Sequence, residues 1–153
     1  IHLVCLPTQY LLYSLMESPK IILIEDSEAD SKLFKLVLDM SGYKGIFAHF
    51  KEASEYLSML QLLDATAQIP DLIFIDYNIP QHNGIELLHQ TRKNPFFQHV
   101  PVILLSGHDP EYLNDLKGIS APDMWLEKSF EFSLFKENLQ PAFATFLPSY
   151  AFS

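Results

Sequence analysis

The chain has 153 residues, 48% of them hydrophobic and 19% charged, a balance that favours one folded domain with a full-sized core. Ten Lys and Arg against 19 Asp and Glu give a net charge of −9, which argues against reading nucleic acid and suits a cation site or a basic partner. A single cysteine, Cys5, excludes an intrachain disulfide and fits a reducing compartment such as the cytoplasm. No apolar run reaches the roughly 18 residues of a spanning helix, so no membrane role is expected.

The first fifteen residues are apolar and uncharged, are interrupted by Pro7, and lack the basic start of a secretory signal. They are expected to be a non-native or disordered leader, with Met16 as the natural start and residues 16–153 as one domain. Lys20 to Glu25 then reads as a strand buried on both faces, ending in the acidic pair Glu25-Asp26. Asp26 or Ser27 can cap the helix that follows. Its apolar face is Leu33, Phe34, Val37 and Leu38, and Gly42 is its stop signal.

A short strand is expected over Gly45–Phe50. His49 lies there as a packed or surface residue rather than a ligand. Lys51–Leu63 forms a helix with Ala53, Tyr56, Leu57 and Leu60 on one stripe. The next segment, Pro70 to Pro80, is the centre of the chain. Its apolar run Leu72-Ile73-Phe74-Ile75 is a buried strand that ends in a carboxylate, Asp76. Open parallel sheets bind ligands at the carboxyl ends of their strands, so Asp76 stands where function usually sits. A loop over Tyr77–Asn83 leads through Gly84 into a helix over Ile85–Arg92. The fourth strand, His99–Ser106, ends in Ser106-Gly107, and a short helix follows over Asp109–Lys117. The fifth strand, Asp123–Glu127, ends at Lys128. The last helix spans Phe132–Leu147, with Phe135, Leu139, Phe143 and Phe146 inward and Pro141 expected to bend or break it. Five strands alternating with five helices make a doubly wound α/β sheet.

The strand ends bring together Glu25-Asp26, Asp76, Ser106 and Lys128. Clustered carboxylates repel one another unless a cation is present, and Mg²⁺ takes such oxygen donors. A carboxylate can act as a nucleophile toward phosphorus, with a metal, a lysine and a hydroxyl stabilising the transferred group. Taken singly, Ser106 can also be read as a helix cap, Lys128 as a solvated surface lysine and Glu25-Asp26 as a capping pair. Their recurrence at four strand ends is what points to chemistry.

The motifs Ile24-Glu25-Asp26-Ser27, Asp76-Tyr77-Asn78-Ile79-Pro80 with Gly84 eight residues past the Asp, Leu105-Ser106-Gly107 and Glu127-Lys128-Ser129-Phe130 come in order and on the right elements. Over about Lys20–Leu147 the chain resembles the receiver domain of two-component response regulators, and the intervals of 30 residues from Asp76 to Ser106 and 22 from Ser106 to Lys128 fit that pattern. The resemblance implies a flavodoxin-like five-stranded sheet of order 2-1-3-4-5, for which a chemotaxis receiver is a standing example. It further implies that Asp76 accepts a phosphoryl group from a sensor histidine kinase or a histidine phosphotransfer protein. Asp26, Asp76 and the carbonyl of Asn78 would bind Mg²⁺ directly, and Glu25 through water. Lys128 and Ser106 would hold phosphoryl oxygens. Trp125 would be the aromatic switch residue, paired with Ser106. His108 lies near this site, either tuning dephosphorylation or simply exposed on its loop.

On this reading the chain is a stand-alone signalling receiver rather than an enzyme. Its output is a contact with a downstream protein through the fourth helix, fifth strand and last helix, and homodimerisation is left open. Two residues depart from the family pattern. Ser129 replaces the usual Pro, which removes the residue that makes a cis bond inexpensive, and Trp125 is larger than the usual Tyr or Phe. These departures sustain an alternative, a degenerate receiver that binds without phosphorylation. A further alternative, a haloacid-dehalogenase-like phosphatase, wants a second Asp where this chain has Asn78.

Overall fold

The computed structural model describes residues 19–107 and 121–149. The leader and start expected at residues 1–16, Cys5, His108 and the helix expected over Asp109–Lys117 lie outside them. Among the described residues, no helix is long and apolar enough to cross a membrane.

Five parallel strands form one sheet: β1 (Lys20–Ile24), β2 (Ile46–Phe50), β3 (Leu72–Asp76), β6 (Val102–Ser106) and β7 (Met124–Glu127). Their order is β2-β1-β3-β6-β7, the expected one once the small hairpin β4 (Asn78–Ile79) and β5 (His82–Asn83) is set aside. The helices are α1 (Glu28–Met40), α2 (Ala53–Gln61), α3 (Gly84–Lys93) and α4 (Phe132–Phe146). The central strands β3 and β6 are buried along their whole length. That burial explains why their sequences are continuously apolar rather than alternating.

Because strand side chains alternate, the sheet feeds two cores. Ile21, Leu23, Leu72, Phe74, Ile103 and Leu105 point toward α1 and α4. Ile22, Ile24, Ile73, Ile75, Val102 and Leu104 point toward α2 and α3. The first core is aromatic: Phe34 meets Phe74 edge-on at 4.9 Å between centroids, and Phe74 meets Phe143 at 6.0 Å. The second is mostly aliphatic and includes one buried polar pair, Tyr56 Oη and Thr91 Oγ1 at 2.6 Å.

Local chemistry sets the helix ends. Ser27, rather than Asp26, caps α1, its Oγ accepting from the Asp30 N–H at 3.2 Å. At the other end Gly42 takes φ 82°. Its N–H reaches the Asp39 carbonyl and the Tyr43 N–H reaches Leu38, a Schellman stop. Asn83 caps α3 through the Glu86 N–H at 2.8 Å.

Of the bend or break expected at Pro141, the break does not occur: the last helix runs unbroken from Phe132 to Phe146. Pro141 lies on the exposed side, where water can serve the carbonyl that its missing N–H leaves unpaired. The buried residues Leu139, Ala142 and Phe143 hold the turns around it. The expected loop over Tyr77–Asn83 is likewise more ordered than its sequence shows, since Asn78–Ile79 pairs antiparallel with His82–Asn83.

Candidate functional site

Register fixes which residues meet at the carboxyl edge. Ile24 pairs with Ile75, Asp76 with Leu105, and Ser106 with Glu127, so the residues just past β1, at the ends of β3 and β6, and just past β7 share one rim. The backbone continues this join beyond the strands. The Glu25 N–H donates to the Phe50 carbonyl, that of Tyr77 to Leu105, and that of Lys128 to Ser106.

Glu25, Asp26 and Asp76 each offer a carboxylate oxygen, and these oxygens lie within 4.8 Å of one another. Glu25 and Asp76 are buried, at 2% and 4% exposure, while Asp26 is half-buried. Three carboxylates this close, two of them out of water, form a set of hard oxygen donors suited to a divalent cation. Asn78 follows Asp76 by two residues, and its N–H donates to Asp76 Oδ1 at 3.2 Å.

Lys128 reaches into this cluster. Its Nζ lies 2.8 Å from Glu25 Oε2, 2.6 Å from Asp30 Oδ2 and 3.5 Å from Asp76 Oδ2. Glu25 spends its other oxygen on the Ser27 N–H at 3.1 Å. One ammonium therefore serves three carboxylates, Glu25, Asp30 and Asp76, with Asp26 close to two of them.

Electrostatics record this imbalance. Burial, reinforced by the Asp76 charge, pushes the Glu25 carboxyl up to about 8 despite its bond to Lys128. Burial also raises Asp76, with Asp26 adding to the shift and Lys128 opposing it. Lys128 itself is pulled down by burial, but its bonds to Asp30 and Glu25 more than compensate, and its ammonium is held charged well above the usual range.

Other residues shape the rim. Ser106 is buried at the end of β6. His49 is exposed on β2, and its Nε2 lies 2.8 Å from the Glu25 carbonyl, so that nitrogen carries the proton and donates. The acidic group itself consists of Glu25, Asp26 and Asp76. Gly84 sits against the strand end: a Cβ there would come within 2.8 Å of the Asp76 carbonyl oxygen and 2.9 Å of Tyr77 Cα. The glycine eight residues past the Asp is thus a packing requirement of the loop that carries the site. The described backbone has no cis peptide bond, so Lys128–Ser129 is trans. Ser129 Oγ instead accepts from the Glu131 N–H at 3.1 Å.

The geometry thus brings together Glu25, Asp26, Asp76 and Lys128, with Ser106 and Asn78 adjacent. Trp125 stands apart, half-buried on β7 and meeting Tyr77 edge-on at 6.1 Å. Two members were missed in the sequence. Tyr77 links the residue after Asp76 to Trp125. Asp30 looked like an ordinary first-turn acid of α1, and only its place in the turn that follows Glu25-Asp26 and the Ser27 cap pointed toward the rim.

A doubly wound sheet with acids, a hydroxyl and a lysine at its carboxyl rim narrows the class of fold and site, and comparison with known proteins supplies the family. A family model for the response regulator receiver domain matches residues 21–140. The chain belongs to the response regulator receiver family. Chemotaxis protein CheY1 of Helicobacter pylori is 27% identical over 128 residues, covering 82% of this chain and 98% of CheY1. Response regulator Rcp1 of Synechocystis is 33% identical over 91 residues, covering 58% of this chain and 62% of Rcp1. Among solved structures, the phosphorylated cyanobacterial phytochrome response regulator RcpA superposes with a TM-score of 0.74 at 25% identity, covering 88% of this chain and 98% of RcpA. The Mn²⁺-bound form of Rcp1 gives a TM-score of 0.69 at 26% identity, covering 88% and 99%. Receivers are signalling domains, and the phosphatase reading finds no support in these matches.

Proposed function

We propose that this receiver is a Mg²⁺-dependent phosphoryl acceptor, with Asp76 as the accepting residue. The observation that carries the reading is the juxtaposition at Asp76: two further carboxylates within 4.8 Å, and the Lys128 ammonium 3.5 Å from its Oδ2. An Asp76 oxygen attacks phosphorus of a phosphohistidine on a sensor kinase or phosphotransfer protein. The P–N bond breaks as the P–O bond forms, and the imidazole leaves with the electron pair and takes a proton. Lys128 and the Ser106 hydroxyl stabilise the oxygens of the transferred group. Asp26, Asp76 and the Asn78 carbonyl would hold Mg²⁺, with the Glu25 carboxylate beside them. The bound ion supplies charge neutralisation at the transferred phosphoryl group. The partners are a histidine kinase or phosphotransfer protein upstream and a protein target downstream, in the cytoplasm where such donors form. The RcpA structure is that of a phosphorylated protein and the Rcp1 structure that of a Mn²⁺-bound one, and both support this reading.

Incubation with acetyl phosphate and Mg²⁺, followed by intact-mass measurement, tests it. One phosphoryl group is expected on the wild type and none on Asp76→Asn. Equal labelling of the two would refute the assignment.

Trp125 is the proposed reporter of the phosphorylated state. Its edge-on contact with Tyr77 ties it to the residue after Asp76, so loading the site shifts the population of a bistable packing around it. Beryllofluoride with Mg²⁺ is expected to shift the emission of this single tryptophan, and Ser106→Ala to reduce the shift. Flat emission at a demonstrably filled site would make Trp125 a static packing residue.

A further inference from the structure

We propose that Asp30 is a positioning residue that anchors the Lys128 ammonium independently of the metal. The inference deepens the phosphoacceptor reading and rests on it for its functional consequence, but its structural content stands alone.

An ammonium has three donors and no acceptor. Two of the Lys128 donors are committed at short range, to Asp30 Oδ2 at 2.6 Å and Glu25 Oε2 at 2.8 Å. The third partner, Asp76 Oδ2, is beyond hydrogen-bond length at 3.5 Å. Two bonds thus fix the nitrogen, and a third N–H is left for a group that arrives on Asp76.

The two anchors differ in kind. Glu25 belongs to the three-carboxylate group suited to a cation, whereas Asp30 does not. A metal draws on Glu25 and weakens its hold on the lysine. Asp30 is then the partner that remains. It is also well mounted: it lies in the first turn of α1, where an acid is favoured, and its own N–H is capped by Ser27 Oγ. The Asp30 and Lys128 side chains are both only 16% exposed, so the pair is shielded from water. Lys128 carries a four-carbon stem with large rotamer freedom, and a site that must bind a phosphoryl oxygen gains from having that freedom already removed. An ordinary capping acid would give none of this, since capping does not require the carboxylate to meet a lysine 98 residues away.

The test uses the whole chain and two variants, Asp30→Asn and Asp30→Ala. Because Ser27 caps a backbone N–H, both retain the α1 start. The first measurement needs no phosphorylation: NMR of lysine ammonium groups, with the Lys128 signal assigned by Lys128→Arg. In the wild type that signal is ordered with and without Mg²⁺. In Asp30→Ala it becomes mobile when Mg²⁺ is added. The second is the rate of labelling by acetyl phosphate, expected to fall about tenfold in both variants. Asp30→Glu should recover part of that rate. Mg²⁺ affinity by calorimetry should fall less than it does in Asp26→Asn. An equally ordered Lys128 signal in the Ala variant overturns the anchor, and so does a labelling rate unchanged by either variant. Failure of the wild type to label, with the signal still lost in Asp30→Ala, removes the acceptor reading and keeps the anchor.

Discussion

The interior of β3 and its last residue obey opposite rules. Leu72 to Ile75 are at 0% exposure and entirely apolar, and each side chain fills one of the two cores. Asp76, one residue further, is buried as deeply but carries a carboxylate beside two others. The same contrast recurs on the neighbouring strands, where Ile24 gives way to Glu25 and Leu105 to Ser106. The strand interiors supply the stability on which a rim of mutually repelling groups can be held in place. A ligand of opposite charge would relieve the repulsion of such a rim.

Substitution along β3 should expose this contrast most strongly. Phe74→Ala removes a ring packed edge-on against both Phe34 and Phe143, and should destabilise the protein by about 3–5 kcal/mol. Two residues on, Asp76→Asn removes one of three crowded negative charges. It should stabilise the metal-free protein, while weakening Mg²⁺ binding. Urea denaturation in EDTA measures both. Destabilisation by the second variant would mean that the rim is not strained.

The pH dependence sharpens the same point. Glu25 has an ordinary value of 4.5 and is raised to about 8 in the folded chain, with Asp76 raised in the same direction. Between these values the native state binds more protons than the unfolded one. Stability of the metal-free protein therefore falls as pH rises from about 4.5 to about 8 and levels above that. The sign is the reverse of that for a salt-bridged carboxylate with a depressed value. Lys128 is raised from an already high value and does not enter this window. Mg²⁺ replaces the proton, so its affinity should climb over the same range and its stabilising effect should be greatest near pH 8. Urea midpoints at several pH values, with EDTA or Mg²⁺, check the slope. A metal-free midpoint that rises through this range would invert the argument.

What was legible in the sequence follows the same division. The apolar runs of β1, β3 and β6 are unmistakable because burial on both faces leaves no polar position to blur them. Glu25, Asp26, Asp76 and Ser106 could be singled out because they stand just past or at the end of such a run, and Lys128 because it follows the last strand, β7. Asp30 was not, because its role is set by a bond to Lys128 from a helix whose sequence gives it an ordinary place. Tyr77 was missed for a similar reason, its contact with Trp125 being made across β6. The continuity of α4 through Pro141 rests on its exposed position, where water can serve the carbonyl left unpaired, whereas a proline inside a helical pattern reads first as a breaker. The β4–β5 hairpin is only two residues a side, too short for any alternating pattern to declare it.

That hairpin offers the smallest and last test, because it sits between the rigid strand and the solvent. Ile79 pairs with His82, leaving Pro80 and Gln81 as the turn. Proline in the first central position and a positive φ in the second define a type II turn, and Gln81 takes φ 69°. Glycine adopts that conformation without steric cost, whereas a side chain there pays about 1–2 kcal/mol. Glycine also gains freedom in the unfolded chain, which takes back about 0.4–1 kcal/mol. Gln81→Gly should therefore stabilise the protein by less than about 1 kcal/mol, and Gln81→Ala should be near neutral. Gln81 is exposed, so little packing is lost. It does line a groove of about 380 Å³ with Asp26, Lys51 and His82, beside the acidic rim. Thermal melts of both variants, in EDTA and in Mg²⁺, separate the two contributions. A gain for glycine that is equal in both conditions confines the strain to the turn. A clear loss for both variants would show that the Gln81 side chain, and not the backbone, holds the hairpin over the site.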